Sequence, residues 1–216
     1  NNTWAVTVAV TDDRTNVLLI DNHPRWEFRY LRNLFHGRDK SVHLQHLLLS
    51  PDQVEDAPKP KTVHASADRK FGDDQASAFP KDKNEWSKFD VIILGDLSPE
   101  TLSDDVLKSI KYCVEDRGAL LICIAGQMFM PHAFKNKILE EILPVEFSKE
   151  IPTEIQPYKI ALTPFGRHHM IMQQSKSLSE NLQIWEQFPE LHWRLPVNKV
   201  KKEASVVAYA QSSFDS

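Results

Sequence analysis

Cysteine is scarce in this chain of 216 residues, which contains only Cys113 and Cys123. Two cysteines in separate predicted elements provide neither a disulfide framework nor the paired spacing of a zinc knuckle. Free cysteine is among the most frequently buried residue types. We therefore interpret both residues as small buried hydrophobic side chains.

Long apolar runs and an excess of basic charge are also missing. No run approaches the roughly 20 apolar residues that span a bilayer, so we expect no direct membrane insertion by these residues. The net charge of −4 gives no reason to expect a nucleic-acid partner. The chain starts without an initiating methionine or a signal-peptide pattern. We interpret it as a piece of a larger protein.

A glycine-rich phosphate loop is absent from the place where one would be expected. The first apolar strand runs directly into the turn DNHPR at residues 21–25, which has no glycine. Dinucleotide-binding and P-loop functions are therefore disfavoured, because both need glycine for close approach of the backbone to phosphate. We expect no cofactor.

What the sequence does contain is an alternation of strands and helices. Apolar strands and amphipathic helices follow one another in the first 125 residues, with strands predicted at residues 17–20, 42–49, 91–94 and 119–125. Helices are predicted at residues 25–35 and 99–115, and Ser98 is the expected cap of the second. This pattern is typical of a doubly wound, mainly parallel α/β sheet flanked by helices. The last of the four strands is apolar throughout, as expected of a central strand.

The remaining segments are less regular. Residues 51–88 are rich in proline and charge, and we expect a long surface excursion that Trp86 and Phe89 anchor back to the sheet. The C-terminal half predicts extra strands at residues 146–151, 158–162 and 205–210, with helices at 133–143 and 178–187. We assign residues 15–216 to one domain, whose final strand could lie beyond the end of the sequence.

The turn after the first strand is the most informative feature. It places several polar and aromatic side chains at one strand end, and sheets of this class have their sites at the carboxyl ends of strands. The candidate binding edge that we predict consists of Asp21, His23, Arg25, Trp26, Glu27, Asp96, Gly126, Gln127, His168 and His169.

The side chains of this turn have two interpretations. Arg25 and Trp26 are residue types frequent in binding hot spots, so they could form a recognition edge together with Glu27 and Arg29. Alternatively, Trp26 packs in the core while an arginine forms an ion pair with Glu27 or Asp21. Both interpretations hold if the domain docks on another part of its own parent chain.

Three segments suggest a family. They are VLLIDNHPRWEFRYLRNLF at residues 17–35, FDVIILGDLSPETL at 89–102 and GALLICIAGQ at 118–127, with weaker support from GRHHMIM at 166–172 and WEQFPELHWRLPV at 185–197. The chain resembles the class I glutamine amidotransferase-like superfamily, whose flavodoxin-like fold is shared with ThuA-type proteins. More narrowly, it is similar to the amidotransferase-like domain of large, membrane-anchored bacterial proteins, where it lies beside β-sandwich or von Willebrand factor A domains.

This resemblance implies a cellular context. The parent protein would be tethered to the bacterial cell envelope, and residues 1–14 would be the end of a preceding β-sandwich or a linker strand. Its partners would be other domains of the same chain, a protein partner or a small-molecule ligand.

The resemblance also locates the position of a nucleophile. Enzymes of the superfamily carry a cysteine on a tight turn between a strand and a helix, where its pKa is lowered. The matching turn here contains Ala125, Gly126 and Gln127, and Cys123 lies two residues earlier, inside the predicted strand. No G-x-C-x-G or G-x-S-x-G elbow occurs elsewhere. We therefore expect no catalytic residues and a non-catalytic binding module.

An enzymatic alternative remains. Asp21 and Asp96 end two parallel strands and could approach each other as an acid/base pair or a cation site, although we favour the interpretation that each caps the following helix. His168 or His169 resembles a histidine of the ThuA-type proteins, but adjacent residues of a strand face opposite sides. We predict no metal site. The alternative is a hydrolase or metal-dependent enzyme that uses Asp21, Asp96 and a histidine.

Overall fold

The computed structural model describes residues 14–50, 61–135, 137–147 and 156–212. Three predicted features lie wholly or partly outside this part of the chain: the end of a preceding β-sandwich at residues 1–13, the first ten residues of the surface excursion, and residues 148–151 of a predicted strand. The described residues form two compact units. The first runs to Leu97 and resumes over Leu102–Ile124, and the second comprises Ser98–Thr101 and the chain from Ala125 onward.

A five-stranded parallel sheet forms the centre of the first unit. Its strands are β1 (Thr15–Asp21), β2 (Val42–Leu48), β3 (Gln75–Ala76), β4 (Val91–Leu94) and β5 (Leu120–Cys123), in the order β3–β2–β1–β4–β5. Its helices are α1 (Trp26–Asn33), α2 (Lys83–Trp86) and α3 (Asp104–Glu115). The predicted doubly wound α/β fold is thereby confirmed, and it has flavodoxin-like character. The strand order reverses direction between β1 and β4, which is where such sheets bind ligands.

The central strand β1 is buried on both faces. Val17, Leu18, Leu19 and Ile20 are each at most 2% exposed. A strand with parallel neighbours on both sides and protein over both faces needs such a continuous apolar run. Leu19 lies opposite His46 of β2 on one side and opposite Ile93 of β4 on the other.

Helix α1 buries only part of the apolar side that its helical spacing predicts, which comprises Trp26, Tyr30, Leu31, Leu34 and Phe35. Phe28 is buried, and Leu31 and Phe35 pack against the same core. Trp26 and Tyr30, which the helical spacing placed on the apolar side, are exposed. Both rows of side chains have helical spacing, so packing against the sheet decides between them.

Helix α3 begins later than predicted. Its N-cap is Ser103, whose hydroxyl accepts a hydrogen bond from the amide of Val106. Ser98, the expected cap, instead shares a hydrogen bond with the hydroxyl of Thr101. Two aspartates follow Ser103 in the first turn of the helix, where negative charge is favoured.

Strand β5 lies at the edge of the sheet, not at its centre. Within the described residues it pairs with β4 alone, and its Leu120 and Ile122 side chains are 55% and 38% exposed. The expectation of a central strand was wrong because an apolar run does not distinguish a buried strand from an edge strand with one open face.

The described part of the excursion returns to the sheet as predicted. Trp86 and Phe89 are both buried, which confirms that they anchor it. Strand β3 adds two residues beside β2, and Asp82 caps α2 by accepting hydrogen bonds from two backbone amides.

The second unit consists of short elements. Its strands form two antiparallel pairs, β6 (Val145–Phe147) with β8 (Val197–Val200) and β7 (Tyr158–Leu162) with β9 (Ala208–Ser212). Its α-helices are α4 (Ile138–Ile142) and α5 (Leu178–Glu186), and 3-10 turns occupy His132–Phe134, Gly166–His168 and Met170–Met172. The extra C-terminal strands are thus confirmed, whereas β8 was not predicted and the helix expected at residues 133–143 is divided. Within the described ranges, no helix has the length and apolar character needed to cross a membrane.

Candidate functional site

Asp21 is the central residue at the carboxyl edge of the parallel sheet. It ends β1 with only 1% of its surface exposed. Its Oδ1 accepts hydrogen bonds from the backbone amides of Asn22 (2.7 Å) and Asp96 (3.2 Å). The guanidinium of Arg25 completes the set, with both Nε and Nη2 lying 3.0 Å from Oδ2. A buried carboxylate requires such donors, because it has lost its hydration.

Gly95 creates the space for this carboxylate. A Cβ added at position 95 would lie 2.2 Å from both Cγ and Oδ2 of Asp21. The amide of Gly95 also donates to the carbonyl of Ile20 across the sheet at 2.7 Å. Gly95 was not among the predicted site residues, although its position directly after an apolar strand was a usable signal.

Asp21 and Asp96 lie next to each other, as the strand order requires. Asp96 is 4% exposed and follows β4, the neighbour of β1. The favoured interpretation, that both aspartates cap helices, was wrong. The N-cap of α1 is Arg25, with no side-chain capping bond, and α3 is capped by Ser103.

Cys123 ends β5 at the same edge of the sheet. Burial is the main reason why the pKa of its thiol is raised to about 12; the charge of Arg25 opposes this rise, and the charge of Asp96 adds to it. The ends of β1, β4 and β5 therefore bring Asp21, Arg25, Asp96 and Cys123 into one electrostatic cluster. A thiol with this pKa is protonated near neutral pH and is a poor nucleophile.

The side chains at the start of α1 divide between the two interpretations. Arg25 forms the ion pair with Asp21 and lies 4.0 Å from the Glu27 carboxylate. Trp26 is not in the core: it is 71% exposed, and its ring centroid lies 6.1 Å from that of Tyr30, which is 69% exposed. His23 is exposed in the preceding turn.

The other predicted residues belong to the second unit. The amide of Gly126 donates to the carbonyl of Met130 at 2.8 Å, and Gln127 is exposed. His168 ends one 3-10 turn, and His169 begins the next, where its Nδ1 accepts from a backbone amide. These histidines lie in consecutive turns and not on a strand, as was assumed when they were judged unable to bind one metal ion together.

A polar cluster beside β2, formed by His36, His46 and Asp74, was not predicted from the sequence. His36 contacts the buried carboxylate of Asp74 through Nδ1, and the amide of His46 donates to the Asp74 carbonyl at 2.8 Å. Burial is the main reason why the pKa of His46 is lowered to about 4, and the charge of Arg32 is the second. The groups come from three separate segments, so no local motif signals them.

No arrangement of three or more histidine, cysteine, aspartate or glutamate side chains in the described ranges is suited to hold a metal ion. Comparisons of the chain with protein-family models, with curated proteins and with solved structures gave no match.

Proposed function

We propose that the chain is a non-catalytic, glutamine amidotransferase-like module that binds a protein partner within a larger, envelope-associated bacterial protein. The binding surface would be the α1 stripe, defined as Trp26, Tyr30 and Leu34. The observation that carries the proposal is the 71% exposure of Trp26 beside an equally accessible Tyr30. The envelope context follows from the sequence resemblance.

The composition of the α1 stripe supports recognition of a protein. Its members are four residues apart: Trp26 and Tyr30 lie on the outer side of the helix, and Leu34, which is 43% exposed, follows its last residue. Tryptophan, tyrosine and arginine dominate binding hot spots, because they offer large contact areas with a polar end. Arg29 is exposed on the same helix. Such a row favours a partner with apolar side chains and flanking acidic groups.

The chemistry at the sheet edge argues against turnover. The Asp21 carboxylate is already engaged by two amides and a guanidinium, which leaves it poorly placed to accept a substrate proton. The thiol of Cys123 has a raised pKa. The alternative is a hydrolase or metal-dependent enzyme. Its support is the adjacency of Asp21 and Asp96, and it would require release of Arg25 from Asp21.

The proposal can be tested with the remainder of the parent protein, produced as a separate polypeptide. Its binding to the full 216-residue chain would be measured by isothermal titration calorimetry. Trp26→Ala should weaken binding about 30-fold, the effect of losing a hot-spot residue. Phe71→Ala is the matched control, because Phe71 is an exposed aromatic residue of the same unit, remote in sequence from α1. It should change the affinity less than twofold.

Two results would contradict the proposal. One is unchanged affinity in both Trp26→Ala and Tyr30→Ala. The other is a hydrolytic activity of the chain that Cys123→Ser or Asp21→Asn abolishes while the fold, followed by circular dichroism, stays intact. The second result would favour the enzymatic alternative.

A further inference from the structure

The second unit contains a cavity that none of the predicted site residues lines. Its volume is about 590 Å³, and residues from all four strands β6, β7, β8 and β9 contribute to its walls. This volume lies within the roughly 300–1,000 Å³ of typical small-molecule sites. The cavity is therefore large enough for an organic ligand.

The walls of this cavity are mainly aliphatic. Its lining includes Val145, Ile160, Val197, Val200 and Val207. Val197 is 49% exposed and Val200 is 39% exposed. Apolar groups that face water are stabilised when an apolar ligand covers them, so these walls favour a ligand with a hydrocarbon part.

Arg194 supplies the charge on the described lining of the cavity. Its guanidinium carbon lies 5.7 Å from the ring centroid of Tyr158, which holds the group over an aromatic face. The Tyr158 hydroxyl donates to the carbonyl of Trp193 at 2.7 Å, so that hydroxyl is already engaged. Among the described residues, no carboxylate forms an ion pair with Arg194. The cation is therefore the charged group that the described lining of this site offers to a ligand.

We propose that this cavity binds an amphipathic monocarboxylate, whose hydrocarbon part contacts the aliphatic walls and whose carboxylate pairs with Arg194. A guanidinium matches a carboxylate because its parallel N–H groups reach both oxygens. The site lies in a different unit from the α1 stripe and does not depend on the proposed protein-binding function.

Decanoate and decanol, titrated separately into the full chain, test this assignment. The two probes share their hydrocarbon chain and differ in the charged head. Binding would be followed by calorimetry and by chemical-shift changes in ¹⁵N-labelled protein. We expect saturable binding of decanoate, with shifts in β7, β8 and β9, and at least tenfold weaker binding of decanol.

Variants locate the site. Arg194→Gln should weaken decanoate binding at least tenfold and leave decanol binding unchanged. Arg167→Gln is the matched control, because Arg167 is an exposed arginine of the same unit that does not line this cavity. It should bind decanoate like the unaltered chain.

A second variant tests the walls without touching the charge. Ala204 lines the cavity from a loop, outside the strands, so Ala204→Trp should fill the space without breaking a sheet. It should abolish binding of both probes, while circular dichroism and thermal unfolding remain those of the unaltered protein.

Three outcomes would overturn the proposal. They are the absence of saturable decanoate binding at millimolar concentration, equal decanoate affinity in Arg194→Gln and the unaltered chain, and equal affinity in Ala204→Trp. Equal affinity for decanoate and decanol would refute the assignment of the carboxylate to Arg194.

Discussion

The carboxylate of Asp21 lies in the volume that a side chain at position 95 would occupy. The two residues are far apart in the sequence, yet pairing of β1 with β4 places them side by side at one edge of the sheet. The buried acid and the glycine therefore depend on each other.

Gly95→Ala is expected to destabilise the protein by about 3 kcal/mol, because the new methyl group must displace a buried, paired carboxylate. Urea unfolding followed by circular dichroism measures this loss. Gly72→Ala serves as the comparison: Gly72 has a φ of 94° but nothing within 4 Å of an added Cβ, so about 1 kcal/mol is expected there. An equal loss in the two variants would show that Asp21 does not need the space.

Removing one partner of the Asp21–Arg25 pair should cost more than removing both. Arg25→Gln leaves a buried carboxylate with two amide donors, and a loss of about 3 kcal/mol is expected. Combining it with Asp21→Asn should restore part of the stability, giving a coupling of about 1–3 kcal/mol in a double-mutant cycle.

The control for this cycle is an exposed ion pair of the same unit. Lys108 and Asp105 are 3.1 Å apart, with side chains that are 67% and 92% exposed. Lys108→Gln should therefore change the free energy of unfolding by less than about 0.5 kcal/mol. Strict additivity at Asp21 and Arg25 would contradict a stabilising ion pair there.

His46 should make the protein less stable in mild acid. Its pKa is about 4 in the folded chain, against an ordinary value of 6.5. Between these values the unfolded chain binds a proton that the folded chain does not, so stability is complete above pH 6.5 and falls as the pH approaches 4. The ring is partly open to solvent, so about 1–2 kcal/mol is expected after screening.

Urea unfolding at a series of pH values, compared with His46→Phe, checks this dependence. Phenylalanine keeps an aromatic ring against Phe28, whose ring centroid lies 5.7 Å from that of His46, and it cannot titrate. Its stability should change less between pH 6.5 and 4. Identical profiles for His46→Phe and the parent chain would assign the acid sensitivity to other groups.

Cys123 should resist alkylation in the folded protein. With a pKa of about 12, roughly one thiol in 10⁴ is ionised at pH 8. Iodoacetamide labelling followed by peptide mass spectrometry should show slow modification of Cys123 under native conditions and rapid modification in urea. Cys113, which is buried in α3 and also has a raised pKa, provides an internal reference against which the labelling rate of Cys123 is compared. Stoichiometric labelling of Cys123 within seconds in the native state would reverse the non-catalytic interpretation.

The sheet was largely predictable from the sequence, because its strands are short apolar runs that end at polar or glycine residues. The bounds of β4 and β7 agree with the prediction to the residue. The proximity of Asp21 and Asp96 followed from topology alone, since adjacent parallel strands end at the same edge.

The rest depended on packing that no local pattern encodes. Helix α1 has two apolar rows, and contact of Phe28 with the core selects the row that leaves Trp26 in solvent. The space above Gly95 is defined only once Asp21 is in place. The cluster of His36, His46 and Asp74 joins segments whose sequences carry no shared signal.

The position of β5 has a practical consequence for dissecting the molecule. A fragment that stopped at residue 124 would terminate in a strand whose outer backbone groups have no neighbouring strand among the described residues and whose Leu120 and Ile122 side chains face water. Open, apolar strands of this kind template intermolecular pairing. The whole chain exposes the same two side chains. Both the chain and such a fragment should therefore self-associate at high concentration, and polar replacements of Leu120 and Ile122 should reduce that association.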